Sequence, residues 1–209
     1  MAYGFLDIAS TPSVHAMQAK MGSADYWRNV ETSREFDRFT GKEAMFIAER
    51  DSFYMASVSE DGWPYVQHRG GPPGFVKLVD DTTLAFADFR GNRQYLTMGN
   101  VAADPRVSMI MVDYPRRARL KVFARAELVE LDADPDLAAT VLAPVYRGKA
   151  EHVVRLHLLA FDWNCPQHIT PRFSEAEVTE AVAPLHARIA ELAAENTELR
   201  SRLTRQGEP

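Results

Sequence analysis

Arginine recurs beside glycine or within turns at three places: Arg69-Gly-Gly, Arg90-Gly-Asn-Arg93 and Pro115-Arg-Arg-Ala-Arg119. A guanidinium presents several N–H donors in one plane, which matches the oxygens of a phosphate. Gly91-Asn92 falls where a strand gives way to a helix, so free backbone N–H groups and the positive end of a helix dipole favour the same kind of ligand. Turns also carry arginine for solubility alone. Three such sites in one small β-rich segment point to a phosphate-bearing ligand, and composition is silent on which one. The stretch YVQHRGGPPGFVKL (65–78) sharpens the question. It closes a strand with Gln, His and Arg, then enters a Gly-Pro loop through which a ligand can approach the backbone.

Other chemistries lack their signatures. There is no phosphate-loop motif, GxGxxG, HExxH or GxSxG. The single cysteine, Cys165 in Trp163-Asn-Cys-Pro166, excludes an intrachain disulfide framework, has no evident base beside it and is expected to be inert. The six histidines are scattered without ligand spacing, so no metal site is expected, and His157 reads as packed in its strand. A net charge of -5 argues against non-specific nucleic-acid binding. No apolar run reaches the roughly 18 residues of a membrane span. The start MAYGFLDIASTPSV lacks a cationic, apolar secretory pattern. The expectation is a cytoplasmic globular protein with no nucleic-acid or membrane partner.

Residues 1–38 read as an arm of short helices. Thr40-Gly-Lys-Glu43 is a capping box that opens a helix. Strands follow at 52–59 and 63–69, joined by Glu60-Asp61-Gly62, and at 75–80 and 83–88. A helix is predicted over 94–103, a buried strand over 106–114, and a long strand over 119–131 in which Phe123 breaks the alternation. A helix over 134–147 and a last strand over 152–163 complete the pattern. Six or seven strands with hairpin connections favour a barrel or sandwich, mainly β in an α+β setting.

Ser174-Glu-Ala-Glu177 is a second capping box and opens a helical tail over 173–209. Val178, Val182, Leu185, Ile189, Leu192, Asn196, Leu199 and Leu203 alternate at spacings of four and three, the heptad seam of a dimerising coiled coil. Pro184 is expected to kink or restart the helix, leaving about three heptads.

The order of "DSFYMASVSEDGWPYVQHRGGPPGFVKL", "LAFADFRGNRQYLTMGNVAADPRVSMIMVDYPRRARLKVFARAEL" and "DWNCPQHITPRF" resembles the pyridoxamine 5'-phosphate oxidase-like family of FMN-binding split β-barrels, in its flavin-nucleotide-binding branch. The resemblance covers about residues 40–172. It implies an FMN-binding split-barrel domain over 39–172 with flanking helices. It further implies a flavin at a homodimer interface and a flavin-dependent oxidoreductase acting on a small-molecule redox substrate. A flavin or haem carrier or sensor on the same barrel is the alternative, with His68 or His168 serving a haem.

Residue by residue, Arg69 matches the arginine that ends the second barrel strand. Asn92 and Arg93 match the start of the family's phosphate motif, with Gln94 where that motif has lysine and Lys77 as a helper. Asp88 joins the cofactor-binding candidates. Arg119 takes the place of a polar residue reaching the flavin from the other subunit. Trp163, Gln167, His168 and Arg172 stand where a Trp and an Arg border the flavin. The resemblance also places the Gly-Pro loop and Phe75 to Lys77 against the flavin's polar edge. The family's vitamin B6 oxidases end in an Arg-Leu-containing motif that has no counterpart after Arg172, so a different substrate is implied.

Overall fold

The computed structural model describes residues 4–28, 37–142, 146, 148–163 and 167–206; Cys165 and Arg147 lie outside them. In chain order the elements are α1 (Phe5–Ala9), α2 (Pro12–Lys20), α3 (Ala24–Arg28), α4 (Gly41–Ala48), β1 (Ser52–Val58), β2 (Pro64–Gly70), β3 (Lys77–Asp80), β4 (Thr83–Phe89), α5 (Leu96–Ala103), β5 (Arg106–Asp113), β6 (Ala118–Glu130), α6 (Pro135–Val141), β7 (Ala150–Trp163) and α7 (Glu175–Gln206). Two compact units emerge: residues 1–113 with 117–169, and residues 114–116 with 170–209.

The first unit is a seven-stranded antiparallel sheet in the order β2-β1-β5-β6-β7-β4-β3. Its period-two alternation sends Phe53 and Met55 of β1, Met109 and Met111 of β5, and Leu120 and Val122 of β6 into one core. The sheet curls, because Phe53 of β1 meets Phe86 of β4 at a ring-centroid distance of 5.1 Å although four strand positions separate β1 from β4 in the order. No ladder joins β2 to β3 or β4, so the barrel stays split. On the other side of β4 and β7, Leu137, Ala138 and Val141 of α6 cover Ala85, Ala87 and Val153.

Local signals act where the sequence carries them. Gly62 sits at φ +83 in the β1–β2 turn, where a glycine adopts the left-handed region at no steric cost. In this unit three sequence expectations change. Phe123 does not break the alternation of β6, since Leu120, Val122, Ala124 and Ala126 are all buried. Phe123 points to the opposite face and is covered by Phe5 of the N-terminal arm, whose ring stacks on it at 4.5 Å. His157 is not packed; it is exposed and bonds Glu127 at 3.0 Å. The helix expected over 134–147 is α6, Pro135–Val141.

In the second unit Ser174 and Glu177 form their capping box, with the Ser174 N–H donating to Glu177 Oε2 at 2.7 Å and the Glu177 N–H donating to Ser174 Oγ at 3.2 Å. Helix α7 then runs through Pro184 without interruption. A proline removes one backbone donor, a loss that the remaining hydrogen bonds of so long a helix absorb.

Glu43 fastens α4 to the end of the sheet. It is 3% exposed, and its carboxylate accepts from the Thr40 hydroxyl at 2.6 Å, the Thr40 backbone N–H at 3.0 Å and the Trp163 indole N–H at 2.6 Å. Burial pushes its pKa up, but the Thr40 and Trp163 bonds outweigh that and hold it below the ordinary 4.5. Glu43→Ala should therefore lower unfolding stability by about 2 kcal/mol, the scale of a lost cap plus a charge-assisted hydrogen bond. Because the folded pKa is depressed, the contribution is complete above the unfolded value of 4.5 and is lost as pH falls through the folded one. Urea unfolding at pH 7 and in acid should show wild type and Glu43→Ala converging in acid. An equal gap at both pH values would contradict this.

Candidate functional site

The inner face of β2 is polar where its partner strand is largely apolar. Register places Arg69 opposite Phe53, Gln67 opposite Met55 and Tyr65 opposite Ser57. These three β2 side chains form one wall of a cleft; Asp88, Phe89, residues 91–98 and Glu151 form the rest. Five sequence candidates meet there: Arg69, Asp88, Asn92, Arg93 and Gln94.

Arg69 and Asp88 form an ion pair across the unpaired gap between β2 and β4. Asp88 is 5% exposed and the Arg69 side chain 14%. Burying both charges is costly, and their mutual attraction offsets that cost in a poorly solvated setting. The pair leaves the Arg69 Nε–H buried with no hydrogen-bond partner. Arg69 also borders a second opening floored by Phe75, Phe86 and Ala87. The guanidinium expected to grip phosphate is thus already shared with a carboxylate, and keeps a donor to spare.

Opposite Arg69, the turn between β4 and α5 is held from both ends by Glu151 of β7. Glu151 accepts from Arg90 Nε at 2.5 Å and from the Tyr95 hydroxyl at 3.1 Å. The Arg90 bond, ahead of Tyr95, holds the Glu151 carboxyl below its ordinary value. Within the turn the Gln94 backbone N–H donates to Asn92 Oδ1 at 3.1 Å, and Asn92 Nδ2 donates to Gln94 Oε1 at 3.0 Å. Arg93 and Tyr95 have φ of +63 and +53. Left-handed backbone costs a non-glycine residue about 1 kcal/mol or more and persists only where neighbours impose it.

Helix α5 therefore starts abruptly at Leu96, with Tyr95 at its N-cap and no side-chain cap. Its first-turn residues Leu96, Thr97 and Met98 line the cleft. Uncapped first-turn N–H groups favour an anion. Thr97, 3% exposed, donates its hydroxyl to Gln67 Oε1 at 2.7 Å and so ties this helix start to β2. Among the described residues, Arg93 is exposed and has no ion partner.

Of the other candidates, Lys77, Arg119, Trp163, Gln167 and His168 do not line this cleft. Lys77 pairs with Ala85 on the edge strand β3. Arg119 lies near the end of the β5–β6 hairpin, paired with Val112. Trp163 is engaged by Glu43, packs edge-on to Phe46 at 4.8 Å and carries Lys42 over its ring at 4.4 Å. Gln167 and His168 are exposed in the turn after β7, with His168 at φ +63. Arg172 belongs to the second unit and stacks over Tyr114 at 5.0 Å.

The Gly-Pro loop serves the fold rather than an open approach to its backbone. Its Gly71 and Gly74 N–H groups donate to Asp51 and Arg50 carbonyls, each at 2.9 Å. A Cβ on Gly71 would stand 2.5 Å from the Phe75 ring, and one on Gly74 2.8 Å from the Ala48 carbonyl. The Phe75 and Val76 side chains are buried in the barrel core.

Sequence reasoning missed Tyr65, Gln67, Thr97 and Glu151. Tyr65-x-Gln67-x-Arg69 does show in the sequence as a polar strand face; Glu151 has no local signal.

A family model described as pyridoxamine 5'-phosphate oxidase matches residues 39–158. No curated protein matches the chain. Similar solved structures include a candidate pyridoxamine 5'-phosphate oxidase of Lactobacillus delbrueckii, 24% identical, covering 60% of this chain and 94% of that one with a TM-score of 0.46. HupZ of Group A Streptococcus is 15% identical, covering 65% and 100%, with a TM-score of 0.46. HutZ, the haem storage protein of Vibrio cholerae, is 16% identical, covering 60% and 94%, with a TM-score of 0.38.

Removing one partner of the buried pair should cost more than removing both. Asp88→Ala is expected to destabilise by about 3 to 5 kcal/mol, because it strands a buried guanidinium, whereas Arg69→Met with Asp88→Leu should recover most of that loss. Urea unfolding of the two single variants and the double variant checks this. Strictly additive losses would show that the two side chains do not act as a pair.

Proposed function

The chain belongs to the pyridoxamine 5'-phosphate oxidase family, and from that premise we propose that it binds FMN in the cleft between β2 and the turn leading into α5, and uses it as an oxidoreductase on a small-molecule substrate. The observation that carries this reading is the convergence of three anion-seeking features on one spot. They are the uncapped first turn of α5, the partnerless guanidinium of Arg93 among the described residues, and the spare buried Nε–H of Arg69.

These residues fit a phosphate. Arg93 supplies the unpaired positive charge and the α5 N–H groups supply short-range donors. Asn92 and Gln94 hold the turn in shape. FMN, when bound, supplies hydride and electron transfer; the protein's part is to bind, orient and tune it. Accordingly no acid–base dyad is required of the chain. Arg69 is held by Asp88 at the junction of the polar cleft and the Phe75–Phe86 opening, so it can direct its Nε–H without swinging into solvent.

We place the site at a homodimer interface. Supporting this, the outer face of β1 and β2 exposes Tyr54, Val58 and Val66, with Trp63 beside them in the connecting turn. An exposed cluster of this kind marks an association surface. Arg119, on the hairpin of β5 next to β1, is the residue that would reach the neighbour's flavin.

Purified protein should show the two near-visible bands of oxidised flavin; a Soret band in their place would overturn the reading in favour of haem. In titration of apo-protein with FMN, Arg93→Ala should weaken binding by about 10- to 100-fold, the equivalent of one charge-assisted phosphate contact. Lys77→Ala should change it by less than about threefold, since Lys77 lies off the cleft. Equal affinities for wild type and Arg93→Ala would remove Arg93 from the site. Mixing Arg93→Ala chains with Arg119→Ala chains should rebuild one intact site per dimer, read as recovered flavin binding. No recovery would exclude a shared site.

A further inference from the structure

Helix α7 carries an apolar stripe that faces solvent. Val178, Leu185, Ile189, Leu192, Leu199 and Leu203 are each 47–68% exposed. Together with Val182 and Asn196 they repeat at alternating spacings of four and three residues. The mean of 3.5 is the period of a two-helix seam, not the wider stripe of a helix lying on a globular surface. Since α7 is continuous from Glu175 to Gln206, all eight positions stand on one rod, and the seam from Val178 to Leu203 is about 38 Å long. Pro184 falls at heptad position c, away from the seam.

We propose that α7 pairs with α7 of a second copy of this chain as a parallel, in-register, two-stranded coiled coil. Val182, Ile189, Asn196 and Leu203 occupy position a; Val178, Leu185, Leu192 and Leu199 occupy d. β-branched residues at a with leucine at d select two parallel strands. Asn196 fixes the register: in parallel alignment its amide meets the identical amide of the partner, whereas a fully overlapped antiparallel pairing sets it against Leu185. The flanking charges agree. Glu195 at g faces Arg200 at e of the other copy, and the preceding g–e contacts, Arg188 with Ala193 and Ala181 with His186, bring no like charges together. Arg188 and Arg202 at g turn outward to pair within the helix with Glu191 and Glu198 at c, the first at 2.9 Å, leaving the stripe as the face that needs a partner.

Full-length chain carrying Cys165→Ser provides the background for the test, and the reading is independent of any bound flavin. Mild oxidation of Leu203→Cys, and separately of Val178→Cys, should give a disulfide-linked dimer in high yield. Ser201→Cys, at position f on the opposite face, should cross-link at least fivefold less. Adding Leu185→Glu with Leu192→Glu should abolish the Leu203→Cys product. Equal yields from Leu203→Cys and Ser201→Cys, absence of both seam products, or persistence of the cross-link in the glutamate variant would overturn the pairing. Preferred linkage between Val178→Cys and Leu203→Cys chains would overturn its parallel sense.

Discussion

One buried ion pair holds the margins of the split barrel together. In the strand order, β2 is one edge and β4 lies next to the other, so no backbone hydrogen bond obliges them to meet. Phe53 stacked on Phe75, with Phe86 edge-on to both, fills the space between them, and Arg69–Asp88 closes the mouth. An apolar contact would close a barrel equally well and leave nothing at its rim. A charged one is directional, so it also fixes the strand that carries it. With Arg69 anchored, Gln67 on the same face reaches Thr97, and Thr97 sets the start of α5 against the cleft. The geometry of the cleft follows from that sequence of contacts.

Much of the barrel could be read from the chain because its elements carry their own signals. Period-two alternation, Gly62 at a tight turn, and the Thr40–Glu43 and Ser174–Glu177 boxes are local rules with local causes. What could not be read depends on contacts far along the chain. Phe123 looks out of phase until Phe5 covers it from more than a hundred residues away. His157 sits among leucines yet faces out, toward Glu127 on the neighbouring strand. Pro184 signals a break, but a helix of this length continues past one missing hydrogen bond. The sheet order, and hence the meeting of β2 with β4, has no sequence signature at all.

The site shows the same division. Gly91-Asn92-Arg93 is legible because a turn feeding a helix start is a local pattern. Arg69 is legible as a conspicuous residue, yet its partner Asp88 stands nineteen positions away on a non-adjacent strand, and the pair changes what Arg69 is free to do. Glu151 is 61 positions from Arg90 and sits in an ordinary strand sequence. The glycines of the Gly-Pro loop are legible in part, for a related reason. Glycine reports that something approaches the backbone closely; here the approaching groups are Phe75 and the Ala48 carbonyl of the protein itself.

Charge accounting then singles out one residue. Among the described residues, the cleft and its rim hold Arg69, Arg90 and Arg93 against Asp88 and Glu151. Arg69 is matched by Asp88 and Arg90 by Glu151. What remains is Arg93, exposed and in a left-handed conformation that only a held turn maintains. A cleft in which every arginine were free would bind any anion loosely. One in which all were paired would bind none. By spending two carboxylates on structure and leaving a single guanidinium beside an uncapped helix start, the fold confines its positive potential to one point on the wall. On the proposed reading, that arrangement suits a single phosphate group, with anion affinity resting on Arg93 rather than on the more deeply set Arg69.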